Sequence, residues 1–298
     1  MLIFALEKEQ QPESSPETKT FAVLWLKKLD MDYLEINKKL WNSRTEIHYA
    51  SEFYDVDGFL KGKDPLNPIE IELLGDIAGK KVLHLQCHFG LDTLALSRRG
   101  AEVTGVDFSE SAIAKARRLN KAAGTNATFI HCDIYSLMNS LDGEFDLVFT
   151  SYGVIGWLPD LIRWAEVIAH FLKPGGKLVL VEFHPVVWMF SNDFQKIAFN
   201  YSGTEPIIED LEGTYTDPKA NIKETSICWN HGISDVLEPL IANGLQITGF
   251  KEYDYSPYDC FENTVSMDKG KYQIKGLEGK IPMVYALDAI KTRRTGMQ

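Results

Sequence analysis

Between residues 80 and 185, short apolar runs alternate with amphipathic stretches, and few residues separate them. KKVLHLQC, AEVTGVDFS, ATFIHCDI, FDLVFTSYG and KLVLVEFHP are rich in aliphatic and β-branched residues and bounded by turn formers, which predicts strands. GLDTLALSRRG, SESAIAKARRLNKAAG and LPDLIRWAEVIAHFL carry apolar residues at helical spacing, the second opening with Ser109 or Ser111 as N-cap. Near-continuous apolar strands, each followed by a helix, are those of a parallel sheet buried on both faces. Right-handed crossovers then make the sheet doubly wound.

The flanks read differently. Residues 1–30 look like a flexible extension or linker: QQPESSPET is polar and Pro-rich, and FAVLWLKKLD is long enough for a turn or two of helix. Met31 is a candidate natural start. Residues 31–77 form an N-terminal helical or lid segment. Leu34, Ile36, Leu40 and Trp41 suit an amphipathic helix over residues 32–42, HYASEFYDVDGFLKGKDPLNP reads as irregular, and IEIELLGDIAG as a helix capped by Gly79. Residues 78–186 are the core domain. Residues 187–230 break the alternation with an aromatic-rich stretch of weak period two, which predicts an inserted cap that a hairpin would suit. Residues 231–298 return to it with ISDVLEPLIANGL (helix), QITGFKEYDY and MVYALDAIKT (strands), an ending that suits a sheet finished by an antiparallel hairpin.

Composition narrows the partners. The 298 residues carry 31 Lys plus Arg against 42 Asp plus Glu, a net charge of −11, and a surface that acidic repels nucleic acid and anionic lipid. No apolar run approaches the roughly 20 residues of a membrane helix. Four widely spaced cysteines include no C-x-x-C pair, so neither a metal site nor a disulfide framework is expected, and the cytoplasm is the expected compartment.

Open α/β sheets bind ligands beyond the carboxyl ends of their strands. The first such edge is Gln86-Cys87-His88-Phe89-Gly90, a loop that runs into a helix and so presents backbone N–H groups. The second ends in Asp107, about 20 residues on, where a carboxylate accepts both hydroxyls of a ribose. The third ends in Asp133, placed to read an adenine amino group. Three strand ends in register make a nucleoside site.

The order VLHLQCHFG, VTGVDFS, FIHCDI, FDLVFTSYG, LKPGGKLVLVE resembles the class I S-adenosylmethionine-dependent methyltransferases over residues 78–185, with LKPGG after FDLV as its most specific part. The LQCHFG first loop resembles a bacterial branch of that family. The resemblance implies a Rossmann-like, mostly parallel seven-stranded sheet with a C-terminal antiparallel hairpin strand at its far edge. It implies S-adenosylmethionine as cofactor and a small-molecule acceptor. By it, Asp107 holds the ribose and Phe108 flanks the adenine, with Ser109 beside them. Asp133 and Ile134 meet the adenine edge. Thr150, Ser151 and Tyr152 line the sulfonium side. Arg44 pairs with the methionine carboxylate, Tyr54 packs near the sulfonium and His48 faces the acceptor. The first loop departs from the family pattern. His84 stands at an acidic position, Gln86 and His88 replace glycines, Cys87 matches a frequent cysteine, and only Gly90 remains.

Methyl transfer needs a base only when the acceptor must lose a proton. His48 and His184 are candidates, and Tyr152 has the strongest position beside the reacting centre. Plainer readings stand beside these: His84 as a core histidine, His231 and Trp229 as cap packing, and Asp107 as a solvated strand end. A non-catalytic S-adenosylmethionine-binding sensor or partner subunit is the alternative that the altered loop permits. A nicotinamide-dependent oxidoreductase lacks its G-x-G-x-x-G fingerprint here.

Overall fold

The structure, a computed structural model, describes the backbone of residues 16–292 and side chains from residue 33 onward. Three helices lead in: α1 (Pro16–Ala50), α2 (Val56–Leu60) and α3 (Pro68–Leu74). The core then alternates as expected: β1 (Lys81–Leu85), α4 (Leu91–Arg98), β2 (Glu102–Asp107), α5 (Glu110–Ala123), β3 (Thr128–His131), β4 (Phe145–Ser151), α6 (Leu161–Phe171) and β5 (Leu172–Phe183). A hairpin of β6 (Ile207–Glu212) and β7 (Lys223–Cys228) follows, then α7 (Ile233–Ala242), β8 (Leu245–Tyr253), β9 (Thr264–Asp268), β10 (Lys271–Ile274) and β11 (Val284–Lys291).

Seven strands form the main sheet in the order β3-β2-β1-β4-β5-β11-β8. The first five are mutually parallel, and β11 runs antiparallel to both of its neighbours. Alternate residues of each strand enter one of two cores. Val82, Val103, Phe149 and Val181 join one with residues of α4 and α5, while Leu83, Val106, Val148 and Leu180 join the other with residues of α6 and α7. The strand order reverses between β1 and β4, so the carboxyl ends of β1, β2 and β4 face one crevice.

Several boundaries differ from the sequence reading. The helix expected over residues 32–42 belongs to α1, which begins at Pro16, inside the extension expected over residues 1–30, and runs unbroken past residue 31; residues 1–15 of that extension lie outside the described residues. The aromatic stretch after His48 is not wholly irregular, because Asp55 caps α2 by accepting from Gly58 N at 3.0 Å. α3 stops at Gly75, with φ 58°, four residues before the expected cap at Gly79. LKPGG is absorbed into β5 as a bulge: the register passes from Phe145↔Leu172 to Leu147↔Lys177. The last strand does not lie at the far edge. β11 inserts between β5 and β8, leaving β8 outermost, and an unexpected hairpin of β9 and β10 fills the loop between β8 and β11.

The inserted segment does form a hairpin, and α1 packs on it and on α5. Asn37 makes the join. Its amide donates to Ile227 O at 2.7 Å and accepts from Ile227 N at 2.9 Å, pairing with β7 as another strand would. One turn and a half further along α1, Asn42 Oδ1 accepts from Ser109 Oγ at 2.7 Å and from Ser111 N at 3.3 Å.

Candidate functional site

The ends of β1, β2 and β3 open into a cleft of about 460 Å³, counting the part open to solvent. Its wall brings together Gln86, Asp107, Phe108, Asp133 and Ile134, five of the residues singled out in the sequence. Asp107 is buried, with Oδ2 accepting from His88 N and Oδ1 from Ser109 N, both at 2.8 Å. Each oxygen keeps acceptor capacity for a hydroxyl. Burial pushes this carboxyl up to about 6 against the pull of those N–H groups. Asp133 Oδ2 accepts from Tyr135 N at 3.1 Å, and burial raises its pKa as well. The cleft has a roof that the sequence reading missed: Tyr33, Leu34 and Asn37 from α1, with Trp157 and Leu158 from the turn after β4. Asn37 in line with Leu34 and Leu40 was the available signal, since an amide on an apolar helix face requires a partner.

The first loop keeps a glycine-like path with side chains in place. Gln86 and His88 have φ of 54° and 50°, a left-handed region that costs an L-residue about 1–2 kcal/mol. Their side chains find uses outside the turn. Gln86 Nε2 donates to Val154 O at 2.9 Å, and His88 Nε2 lies 3.1 Å from His48 Nδ1. Gly90, with φ 76°, has no room for a Cβ, which would sit 2.5 Å from the Phe129 ring. Its task is close packing of α4 on the sheet. Cys87 is buried in the core against Gly105, and Ser109 spends its hydroxyl on Asn42 and on capping α5. Neither borders the cleft.

Beside the cleft lies a packed polar cluster. Trp41 connects the two, its ring 5.2 Å from that of His88 and 5.4 Å from that of Trp157. The cluster gathers Arg44, His48 and Tyr54 from α1 and the residues after it, His88 from the first loop, and Tyr215 from the loop between β6 and β7. Tyr54 Oη and Tyr215 Oη are hydrogen-bonded at 2.5 Å, and Tyr215 Oη lies 3.5 Å from His48 Nδ1. Burial, with Arg44 close by, depresses His48 to about 2 and His88 to about 3, so both rings are neutral. A base that weak cannot hold an acceptor's proton at neutral pH; His48 hydrogen-bonds instead. Nine buried side-chain polar atoms have no hydrogen-bond partner among the described residues; Arg44 Nε, His48 Nε2, Gln86 Oε1, His88 Nδ1 and Thr150 Oγ1 belong to this region, and those of Arg99, Trp164, His184 and Tyr285 lie elsewhere. Such groups are rare in protein interiors, and five of them fall on the first loop and the elements beside it.

The end of β4 closes the site. Tyr152, with φ 31°, donates its hydroxyl to Glu70 Oε2 at 3.1 Å, and Ser151 hydrogen-bonds Asp92. Glu182 organises the turn: its buried carboxylate accepts from the backbone N–H groups of Gly153, Val154, Ile155 and Phe183. His184 is not brought to the cleft or the polar cluster. Its Nε2 faces Glu252 at 2.8 Å and its ring lies edge-on to Tyr285. His84 is a core residue bonded to Thr93 Oγ1 at 2.8 Å, and His231 holds Leu158 O at 2.7 Å. Tyr215, Glu70 and Glu182 left no trace in local pattern, because each acts across a long stretch of chain.

Residues 82–176 match the family described as a methyltransferase domain. Ubiquinone biosynthesis O-methyltransferase of Idiomarina loihiensis is 33% identical over 133 residues, 43% of this chain and 54% of that protein. The Pseudomonas aeruginosa protein of the same name is 27% identical over 147 residues, 48% of this chain and 63% of its own. The chain thus spans between half and two thirds of the length of these relatives. Among solved structures, an S-adenosylmethionine-dependent methyltransferase of Clostridium acetobutylicum aligns with TM-score 0.53 and 16% identity, covering 86% of this chain and 99% of that one. One from Methanosarcina mazei gives 0.52 at 20% identity, covering 76% and 98%. Residues 82–176 thus match a methyltransferase domain, and the chain has the fold of S-adenosylmethionine-dependent methyltransferases.

Proposed function

We propose that the protein transfers a methyl group from S-adenosylmethionine to a small-molecule acceptor, and that it works in the cytoplasm without nucleic acid. The observation that carries this reading is Asp107 at the head of the cleft, buried, oriented by two backbone N–H groups and still able to accept. The orphaned polar atoms of Arg44, His48, Gln86, His88 and Thr150 fit the other end of the same ligand. When bound, the cofactor supplies an electrophilic methyl group on sulfur.

The chain supplies placement and dryness. Asp107 takes the ribose hydroxyls. Asp133 and Ile134 meet the adenine edge, with Phe108 and Leu158 as apolar walls. Gln86, His88, Arg44, Thr150 and Ser151 border the polar end. Trp41, Tyr54 and Tyr215 keep water from the reacting centre. Tyr152, held by Glu70 and packed against Phe183 and Tyr258, lies on the acceptor side, and the cap of residues 187–230 is the substrate cap. The relatives named as O-methyltransferases make hydroxyl acceptors the first class to test.

The test is calorimetry of the protein with S-adenosylmethionine, with NADH as control. Saturable binding of the former alone is expected. Asp107→Ala lowers that affinity by about 1–3 kcal/mol through lost charge-assisted hydrogen bonds. A folded variant with wild-type affinity removes Asp107 from the ribose. Formation of S-adenosylhomocysteine on adding a hydroxylated acceptor then separates an enzyme from a binder.

A further inference from the structure

Methylation of a hydroxyl leaves a proton to be removed, and no histidine of the site can keep it at neutral pH. Burial holds His48 and His88 far below the usual imidazole range, and His184 lies elsewhere against Glu252. Burial and the Glu70 carboxyl push the Tyr152 phenol up, so Tyr152 keeps its own proton. Glu70 is the exception. It lies on α3, ahead of the core, and has no exposed surface. Desolvation, with Asp92 of α4 nearby, pushes its carboxyl up to about 7, the range in which a base serves at neutral pH. The titratable groups that share its field are Asp92, Tyr152, Tyr255 and Tyr258, and none of them is a cation.

The two carboxyl oxygens of Glu70 have separate tasks. Oε1 belongs to the start of α3, accepting from Asn67 N at 3.3 Å and from Asn67 Nδ2 at 3.1 Å. Oε2 accepts from Tyr152 Oη at 3.1 Å. With no surface of its own, Glu70 can meet an acceptor only through that hydroxyl. Tyr152 does have surface. It is half-buried, with its ring edge-on to that of Tyr258 at 5.1 Å and 5.6 Å from that of Phe183. Its backbone stands at φ 31°, in the left-handed region, and Glu182 fixes the turn by accepting from Gly153 N and Val154 N. The phenol is thus held at both ends, by the turn after β4 and by a buried carboxyl.

We propose that Glu70 is a positioning residue that takes up the acceptor's proton through the Tyr152 hydroxyl. The inference rests on the reading of Tyr152 as facing the acceptor. The acceptor oxygen bonds the methyl carbon while the carbon–sulfur bond breaks and leaves its electron pair on sulfur. The acceptor's proton passes to Tyr152 Oη as the phenol's own proton passes to Glu70 Oε2. Tyr152 never becomes a phenolate, so its raised pKa is no obstacle. Once the product has left, the proton returns to water along the same path. A carboxylate of this strength suits phenolic hydroxyls, whose pKa lies at about 10. Aliphatic alcohols hold their protons too tightly, and a neutral amine attacks without a base.

The test gives the full chain S-adenosylmethionine with phenol or with para-nitrophenol and reads S-adenosylhomocysteine. With phenol, wild-type kcat is expected to rise with pH and to level off above about 7. Glu70→Gln and Tyr152→Phe each lower that plateau about a hundredfold or more and abolish the rise, and the double variant is no slower than either. The two acceptors are then compared at a pH where para-nitrophenol is ionised and phenol is not. No proton need leave para-nitrophenol there, so both variants should lose at most about threefold with it. A structural role for Glu70 would slow both acceptors alike. Infrared titration of the carboxyl stretch gives a reading without turnover. Glu70, assigned by its loss in Glu70→Gln, is expected to titrate near 7 and to move up in Tyr152→Phe, which removes a donor to the carboxylate. Equal losses for both acceptors, no loss with phenol, or a Glu70 midpoint at the ordinary 4.5 overturn the proposal. If S-adenosylmethionine binds and wild type methylates neither phenol, the proposal falls and the reading of the cleft stands. If S-adenosylmethionine does not bind, both fall.

Discussion

The carboxyl group of Asp107 accepts from two backbone N–H groups and still titrates near pH 6, because burial outweighs them. Ribose hydroxyls donate more strongly to the ionised form, which accepts at both oxygens, so binding favours loss of the proton wherever that group is protonated. Cofactor affinity is therefore expected to be flat above pH 6 and to fall about tenfold per pH unit below it. Calorimetry in buffers of different ionisation enthalpy reads the released proton directly. Glu70 gives a complementary case. It is fully buried, accepts from Tyr152 and Asn67, and has its pKa pushed up to about 7 by desolvation and by Asp92. A folded-state pKa above the unfolded value favours the fold at low pH, and that contribution is lost as pH rises from about 4.5 through 7. Glu70→Gln keeps the shape without the charge. It should match wild type near pH 4 and exceed it by on the order of 1–3 kcal/mol above pH 7, read from denaturation midpoints across that range.

The first loop shows what an element retains when its residues change. Its path demands left-handed backbone at positions 86 and 88, and non-glycine residues comply because their side chains gain partners in Val154 and His48. At position 86 glycine should therefore surpass alanine. Gln86→Ala loses the bond to Val154 and keeps the strain, whereas Gln86→Gly loses the bond and relieves it, so the two should differ in stability by about 1 kcal/mol in favour of glycine. That order reverses the usual one and is measured by urea denaturation. The strands and helices of the core were legible because burial on two faces writes itself as apolar runs and spacing. That Asp107, Phe108, Asp133 and Ile134 border one cleft was legible because strand ends in a parallel sheet have a fixed address. What stayed hidden depends on pairings distant in sequence. Asn37 meets Ile227, Tyr54 meets Tyr215, and β11 slips inside β8. No local period records any of these.

At the scale of the molecule, the cleft and the polar cluster lie within one connected frame. α1 contributes Tyr33, Leu34 and Asn37 to the roof, holds the hairpin through Asn37, caps α5 through Asn42, and carries Arg44 and His48 into the polar cluster. Asn37→Leu would leave the N–H and C=O of Ile227 unpaired in a buried place. A loss of about 2 kcal/mol is expected, with faster amide exchange at Ile227 than at strand positions of the main sheet. The acidic balance of the chain, −11, does not extend to the polar cluster, where the buried charge is that of Arg44.

A rod that is roof to one compartment and anchor to another cannot lift from the first without disturbing the second. Any molecule that settles beneath α1 also stills the hairpin whose tip carries Tyr215, and whatever the hairpin grips steadies the roof in return. The two arrivals are then linked by reciprocity: each should tighten the other by the same factor, however far apart they sit. Affinity for S-adenosylhomocysteine measured with and without a bound acceptor gives that factor, and Asn37→Leu, by unfastening the rod from the hairpin, should bring it towards one. The helix that precedes the methyltransferase domain would then act as the domain's bookkeeper of occupancy, making release of one product the condition for release of the other.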